Sequence, residues 1–366
     1  MSDNSKVRVL VIDDSAVVRH ILVDLLCSDP QVEVVGTASD GKMGLSKFED
    51  LKPDLVTLDI EMPEMNGLET LTKIREKNKS VPVIMFSSLT QKGGIETLEA
   101  LGLGATDYVT KPTNQADGLN SSKESIRQQL LQKVHYFGLR TKGSPLNGSE
   151  RITSFSQKVF ASKTASKIDL IAIGSSTGGP NALAEIFQKF PSDFPLPIVV
   201  VQHMPPYFTK VLADRLSAQS ALPVKEAAAG DILKPGQAWI APGGFHMILQ
   251  GNNGNVQIKL NEEAPENSCR PSVDPLFLSA AKIFGSHILG VILTGMGKDG
   301  LRGSEAIHKA GGRILAQDEA SSVVWGMPRF VAEAGLAEKI LPLPAIADEI
   351  VQRAFYGRHV TQKKIL

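Results

Sequence analysis

What most restricts the folding of this chain is a rhythm that runs through it twice: short β-branched apolar runs alternate with amphipathic stretches of helical period. In the first third, Val7–Ile12, Val32–Thr37, Leu55–Asp59, Val81–Phe86 and Thr106–Val109 read as strands bounded by turn residues. Stretches such as Ala16–Leu26 and Gly67–Lys77 lie between them, and a last helical stretch runs from Ser122 to Phe137. Strands that alternate with helices are joined by crossovers, so the sheet is parallel and carries helices on both faces. The predicted fold class is α/β, beginning with a doubly wound (βα)5 unit. From Ile168 the rhythm resumes, with strand-like runs at Ile168–Ile173, Ile198–Gln202, Ala238–Ile240, Met247–Leu249, Val256–Leu260, Ile288–Leu293 and Arg313–Ala316. Helical patterns there cover Pro180–Lys189, Pro206–Ala218, Pro275–Phe284, Leu301–Ala310 and Ala345–Arg353. The Gly- and Pro-rich middle of this segment predicts hairpins beside a mostly parallel sheet.

Between the two patterns, Leu139–Lys167 has six basic residues against one acidic (Glu150) and no sustained apolar period, the composition of a linker. The expected organisation is a first domain over 1–137, a linker over 138–167, a second domain over 168–357 and a basic tail over 358–366. Lys plus Arg number 39 and Asp plus Glu 39, so no net charge draws the chain to nucleic acid or anionic membrane. A DNA-binding regulator would show a compact helix-turn-helix module with a basic face, which this pattern lacks. No apolar run approaches the roughly 18 residues of a membrane span, and Met1–Lys6 is polar, without a signal-peptide pattern. Two cysteines, Cys27 and Cys269, are too few for a disulfide framework or a zinc site and read as buried or incidental thiols. The expected location is the cytoplasm, with no membrane insertion and no nucleic-acid partner.

Asp13 and Asp14 directly follow the first predicted strand and Asp59 ends the third, which places all three at the carboxyl edge where doubly wound sheets bind ligands. Three carboxylates there repel one another unless a cation sits among them, and oxygen ligands with water suit Mg²⁺. Helix capping would need one Asp, not two plus a third on a neighbouring strand. Ser87 ends the fourth strand and Lys111 the fifth. A hydroxyl and an ammonium joining a carboxylate–Mg²⁺ cluster can hold a phosphoryl group attached to Asp59. With this five-point set, residues 6–137 resemble the response-regulator receiver family. The resemblance implies Asp59 as phosphoacceptor, Asp13 and Asp14 as metal-site acids, and the Glu61 backbone carbonyl as a further metal ligand. It also implies Ser87 and Lys111 as phosphate-sensing residues, Tyr108 as an aromatic that changes rotamer between states, Mg²⁺ as cofactor and a histidine kinase as phosphodonor.

In the second segment, Gly174-Ser175-Ser176-Thr177-Gly178-Gly179-Pro180 follows a strand and opens a helix. Such a turn can cradle a phosphate on its N–H groups or expose a serine nucleophile, for which Gly174-x-Ser176-x-Gly178 has the G-x-S-x-G spacing. The motif alone leaves both open, although a P-loop lysine is missing. A serine nucleophile needs a base within reach. His203, in Gln202-His203-Met204-Pro205-Pro206, leaves a parallel strand on the same edge as Ser176; His246, after Pro242-Gly243-Gly244, is the second choice. An acid must orient the imidazole. Asp299, in Thr294-Gly295-Met296-Gly297-Lys298-Asp299-Gly300, is one candidate and Asp318 its rival. Asp274, before Pro275, reads as a helix cap, and Asp299 could itself cap the helix at Leu301. Met296, between glycines, could present its N–H to an oxyanion.

Over roughly 168–355 these stretches, with Ile240-Ala241-Pro242-Gly243 and Gln317-Asp318-Glu319-Ala320-Ser321, resemble the chemotaxis receptor methylesterase family (the CheB family). The resemblance implies a Ser-His-Asp set of Ser176, His203 and Asp299, Met296 at the oxyanion hole and His246 as an additional active-site histidine. The implied reaction is hydrolysis of glutamate methyl esters on methylated chemoreceptors, with glutamine deamidation in some members and no cofactor for the ester chemistry. Some family systems tether through an aromatic-acidic C-terminal pentapeptide; this chain ends in Lys363-Lys364-Ile365-Leu366, which supports no such role.

Overall fold

A computed structural model describes residues 6–111, 119–141, 167–252, 254–356 and 358, which divide into two compact units, 1–158 and 159–366. Most of the predicted linker and tail lies outside the described residues.

The first unit contains β1 (Val7–Ile12), α1 (Ala16–Cys27), β2 (Val32–Ala38), α2 (Gly41–Leu51), β3 (Leu55–Asp59), α3 (Gly67–Lys77), β4 (Val83–Ser87), α4 (Gln91–Gly102), β5 (Asp107–Thr110) and α5 (Leu119–Thr141). Its strands pair in parallel in the order β2-β1-β3-β4-β5. Every residue of β3 and β4 is buried. Helices cover both faces, so these strands read as continuous apolar runs rather than alternating ones. The chain turns from β1 to β2 on one side and resumes with β3 on the other, which opens a crevice at the carboxyl ends of β1 and β3. The turn after β3 is tight: a Cβ on Gly67 would lie 2.1 Å from the Asp59 carbonyl oxygen. A capping box between Asn66 and Glu69 starts α3 immediately afterwards.

The last helix of this unit corrects the expected ending at Phe137. It continues to Thr141, into residues read as linker. Gly138 explains the continuation, because its missing side chain lets the helix lie against Val7, where a Cβ would approach Val7 Cγ1 to 2.2 Å.

The second unit contains β6 (Leu170–Ser175), α6 (Gly179–Gln188), β7 (Ile198–Gln202), α7 (Phe208–Gln219), β8 (Val224–Glu226), β9 (Ala238–Ile240), β10 (His246–Asn252), β11 (Asn255–Asn261), α8 (Val273–Phe284), β12 (Ile288–Ile292), α9 (Leu301–Lys309), β13 (Arg313–Gln317), α10 (Met327–Glu333), β14 (Lys339–Leu341) and α11 (Leu343–Phe355). Seven strands form a parallel sheet in the order β14-β13-β12-β6-β7-β9-β8. β10 and β11 make the expected hairpin, antiparallel and separate from the sheet. Its Met247, Leu249, Val256 and Ile258 join Leu276, Phe277 and Ala280 of α8 in one core. β6 lies between β7 and β12, so the strand order reverses there and the carboxyl edge opens a second crevice.

Candidate active site and candidate phosphorylation site

The first crevice gathers the predicted acids. Asp13, Asp14 and Asp59 bring carboxylate oxygens within 4.8 Å of one another. Lys111 Nζ reaches Asp59 Oδ2 at 2.7 Å and Asp13 Oδ2 at 3.6 Å. Asp13 and Asp59 are buried, and among the described residues Asp13 Oδ2 and Asp59 Oδ1 have no hydrogen-bond donor. Buried carboxylate oxygens without donors form an all-oxygen set that suits a hard divalent cation such as Mg²⁺. Burial, with the charges of Asp13 and Asp14, outweighs Lys111 and raises Asp59 to about 7. An open cleft of about 520 Å³ adjoins the cluster, lined in part by Asp14, Glu61, Met62, Asn66 and Lys92.

The other residues predicted here sit at the same edge. Ser87 is buried, and its hydroxyl donates to the Gly93 carbonyl at 3.0 Å. Tyr108 is half-buried, with Lys133 Nζ 5.7 Å from its ring centre. The Glu61 side chain is exposed and paired with Lys92 at 2.8 Å.

In the second crevice, Ser175 of β6 and Gln202 of β7 are register partners, so Ser176 and His203 leave neighbouring strands side by side. The His203 N–H donates to the Ser175 carbonyl at 3.1 Å. The two serines differ in setting. Ser175 is fully buried and its hydroxyl donates to Gln202 Oε1 at 2.7 Å, whereas Ser176 is part-exposed at the turn. The Ser176 N–H donates to the Thr294 carbonyl at 3.0 Å and the Gly179 N–H to the Ser176 carbonyl at 2.8 Å. Two N–H groups that a phosphate cradle would use are thus already bonded.

His203 Nε2 meets Asp299 Oδ2 at 2.7 Å. Asp299 caps a helix, but not the one that follows it in sequence. Its carboxylate accepts from the Val273 N–H at 2.6 Å and the Asp274 N–H at 3.2 Å, at the start of α8. It also accepts from Ser272 Oγ (2.7 Å), Asn267 Nδ2 (3.0 Å) and the Gly300 N–H (2.9 Å). Burial alone would raise the Asp299 pKa; His203, the Val273 N–H and Ser272 outweigh it and hold the carboxyl at about 2. Orphan N–H groups at a helix N-terminus favour an anion in the same way.

Asp274, read from sequence as a cap, sits inside the first turn of α8. It accepts from the Gly303 N–H at 2.7 Å and Asn267 Nδ2 at 3.2 Å. The rival acid Asp318 instead accepts the Ser321 N–H and hydroxyl at 3.0 and 2.6 Å. Met296 is half-buried in the loop after β12, where the flanking Gly295 N–H is bonded to the Val324 carbonyl. His246 is buried. Its Nδ1 accepts from the Ser272 N–H at 3.3 Å, and its Nε2 lies 3.1 Å from the Ala264 carbonyl, to which it donates. Both ring nitrogens therefore meet backbone groups.

Sequence reasoning missed Ser272, Asn267 and Cys269. The Cys269 Sγ lies 3.5 Å from His203 Nδ1, so this thiol is not incidental. Burial pulls the His203 pKa down, but attraction to Cys269 and Asp299 prevails and raises it.

Serine, histidine and acid at the switch point of one parallel sheet, in a chain that begins with an acidic phosphoacceptor-type crevice, define the class: a hydrolase that carries a receiver unit. A family model described as CheB methylesterase matches residues 171–350, and one described as Response regulator receiver domain matches 9–122. The protein-glutamate methylesterase/protein-glutamine glutaminase of Trichodesmium erythraeum is 50% identical over 349 residues, 95% of this chain and 99% of that one. Its Thermotoga maritima namesake is 43% identical over 349 residues, 94% and 98% of the two chains. The crystal structure of the T. maritima CheB methylesterase catalytic domain matches with a TM-score of 0.50 and 46% identity, over 51% of this chain and 99% of that one. The chain belongs to the CheB methylesterase family. Receiver domains generally use Mg²⁺ for phosphorylation. Among the described residues, no helix is long and apolar enough to cross a membrane.

Proposed function

We propose that this protein hydrolyses glutamate methyl esters on chemotaxis receptors, releasing methanol, with Ser176 as nucleophile, His203 as base and Asp299 as orienting acid. The observation that carries this assignment is the 2.7 Å His203–Asp299 contact beside part-exposed Ser176, made by an acid held ionised from the start of α8. Ser176 Oγ attacks the ester carbonyl while its proton passes to the imidazole. Nε2 faces Asp299, so Nδ1 takes the proton. The oxyanion forms at the Met296 N–H, then collapses and expels methoxide, which leaves as methanol with the imidazolium proton. Water attacks the acyl-enzyme by the same route, freeing the glutamate carboxylate and restoring Ser176. His246 acts from behind, holding the 264 and 272 backbones that carry Ser272 to Asp299. Hydrolysis of a glutamine side chain by the same set would release ammonia, in keeping with the glutaminase activity in the relatives' name.

In the receiver unit, Asp59 accepts the phosphoryl group from a histidine kinase. Asp13, Asp14, Asp59 and the Glu61 carbonyl would hold Mg²⁺, which would supply charge neutralisation there. Ser87, Lys111 and Tyr108 report the phosphorylated state. We place the junction of the domains within 142–166, outside the described residues, and the protein in the cytoplasm with its kinase. In the unphosphorylated state the receiver excludes the receptor helix from the ester site, a population shift that phosphorylation reverses.

Methanol release from methylated receptor membranes tests this assignment. Ser176→Ala should lose activity by at least about 10³-fold, and a fragment beginning near Ala165 should be active without phosphodonor. A fully active Ser176→Ala protein would overturn the nucleophile assignment, and a folded but inactive fragment would overturn control by exclusion.

A further inference from the structure

A histidine has two ring nitrogens, and both of His203's are met by protein groups. Asp299 holds Nε2 at 2.7 Å and Cys269 Sγ stands 3.5 Å from Nδ1. The thiol is carried by a tight turn. Glu266 and Cys269 exchange backbone hydrogen bonds at 3.1 and 2.9 Å, and the two residues between them, Asn267 (φ 51°) and Ser268 (φ 63°), are both left-handed. Two consecutive left-handed positions are the hallmark of a type I′ turn. That conformation is uncommon for residues other than glycine, and it aims two neighbouring side chains at one target. Asn267 Nδ2 donates to Asp299 Oδ1 at 3.0 Å, and Cys269 reaches the imidazole. Arg302 on α9 pairs with Glu266 and anchors the start of the turn.

We infer that the Glu266–Cys269 turn is a clip on the catalytic pair, in which Cys269 is a positioning residue that occupies His203 Nδ1 in the resting enzyme. This rests on the proposed roles of Ser176, His203 and Asp299. Nδ1 is the nitrogen that must take the Ser176 proton, so the thiol and the serine compete for one site. While Cys269 holds it, the ring is fixed in place and keeps its proton on Nδ1 more firmly, so that nitrogen is less free to take the serine's. The groups that bear on His203 are Asp299 after β12, Cys269 on the turn, and more remotely Asp274 on α8, reached through Asn267, and the Arg302–Glu266 pair. Of these, Cys269 and Asp299 raise the His203 pKa, in agreement with the geometry.

The test is a ¹⁵N-histidine NMR titration of the full-length protein, with His203 assigned by its absence in His203→Gln, run beside the pH profile of methanol release. Cys269→Ala should lower the His203 midpoint by roughly one unit or more, as expected when a close polar partner of the charged form is removed. The acid limb of kcat should move down with it while KM holds. Cys269→Ser, which keeps a polar atom beside Nδ1, should move both less than Cys269→Ala does; Cys27→Ser should move neither. An unchanged His203 midpoint in the Cys269 variants would overturn the inference. The titration does not depend on turnover. A shifted midpoint in a protein that releases no methanol would therefore support the clip and count against the esterase assignment instead.

Discussion

Asp59 and Asp299 occupy equivalent places in the two units. Each is 1% exposed at the carboxyl edge of a parallel sheet, at a crevice where the strand order reverses. Their electrostatics are opposite. Asp299 is surrounded by N–H and O–H donors from Asn267, Ser272, Val273, Asp274 and Gly300 as well as His203, and its pKa falls to about 2. Asp59 faces Lys111 and two other carboxylates, and its pKa rises to about 7. Burial acts on both in the same direction, so the supply of donors decides the outcome. One acid is complete as folded and serves as a fixed negative charge. The other is short of donors beyond Lys111 and is suited to receive a cation and a phosphoryl group.

Exchanging each acid for its amide should separate the two most sharply. Asp299→Asn should lower methanol release on the order of 10⁴-fold, since an amide cannot hold the imidazolium. It should also destabilise the second unit by about 3 kcal/mol, because donors at the start of α8 lose an ionised acceptor. Asp59→Asn should abolish phosphorylation, yet stabilise the Mg²⁺-free receiver at pH 8 by removing one of three crowded charges. Denaturant unfolding checks both signs, and destabilisation by both variants would break the comparison.

A smaller effect should appear with pH and metal. A carboxyl whose folded pKa is raised favours the fold fully below its unfolded pKa, near 3.9, and loses that contribution as pH rises through about 7. The Mg²⁺-free receiver should therefore weaken between about pH 4 and pH 7, and Mg²⁺ should restore its Tm more at pH 8 than at pH 5. Asp299 has the opposite sign: its contribution is present above the unfolded pKa and is lost only as pH falls through about 2. A Mg²⁺ response that does not grow with pH would count against an under-supplied Asp59.

Much of this was legible in the residues. Asp13, Asp14 and Asp59 end strands with long apolar runs, and Ser176 and His203 leave strands of the same kind, so their meeting follows from the parallel sheet alone. β8 and β14 were not legible, because three residues that include Lys or Glu show neither a period nor an apolar run, whereas the equally short β9 is apolar throughout. The loop partners of Asp299 and His203 were also hidden. Asn267, Cys269 and Ser272 belong to an aperiodic loop, brought to the site by a left-handed turn and by the start of α8. For that reason sequence proximity suggested the following helix, α9, as the one Asp299 could cap.

The smallest effect separates the adjacent serines. Ser175→Ala removes one buried hydrogen bond to Gln202, which should cost about 1–2 kcal/mol of stability and leave turnover measurable. Loss of methanol release equal to that of Ser176→Ala, from a folded protein, would contradict the assignment.

The contrast itself is tested most directly by a ¹³C-carboxyl NMR titration of aspartate-labelled protein without Mg²⁺. One resonance should titrate near 7 and vanish in Asp59→Asn, and another should stay ionised down to about 2 and vanish in Asp299→Asn. If both carboxyls titrated together near the ordinary value of about 4, donor supply would not distinguish the two sites, and the account given for them would be wrong.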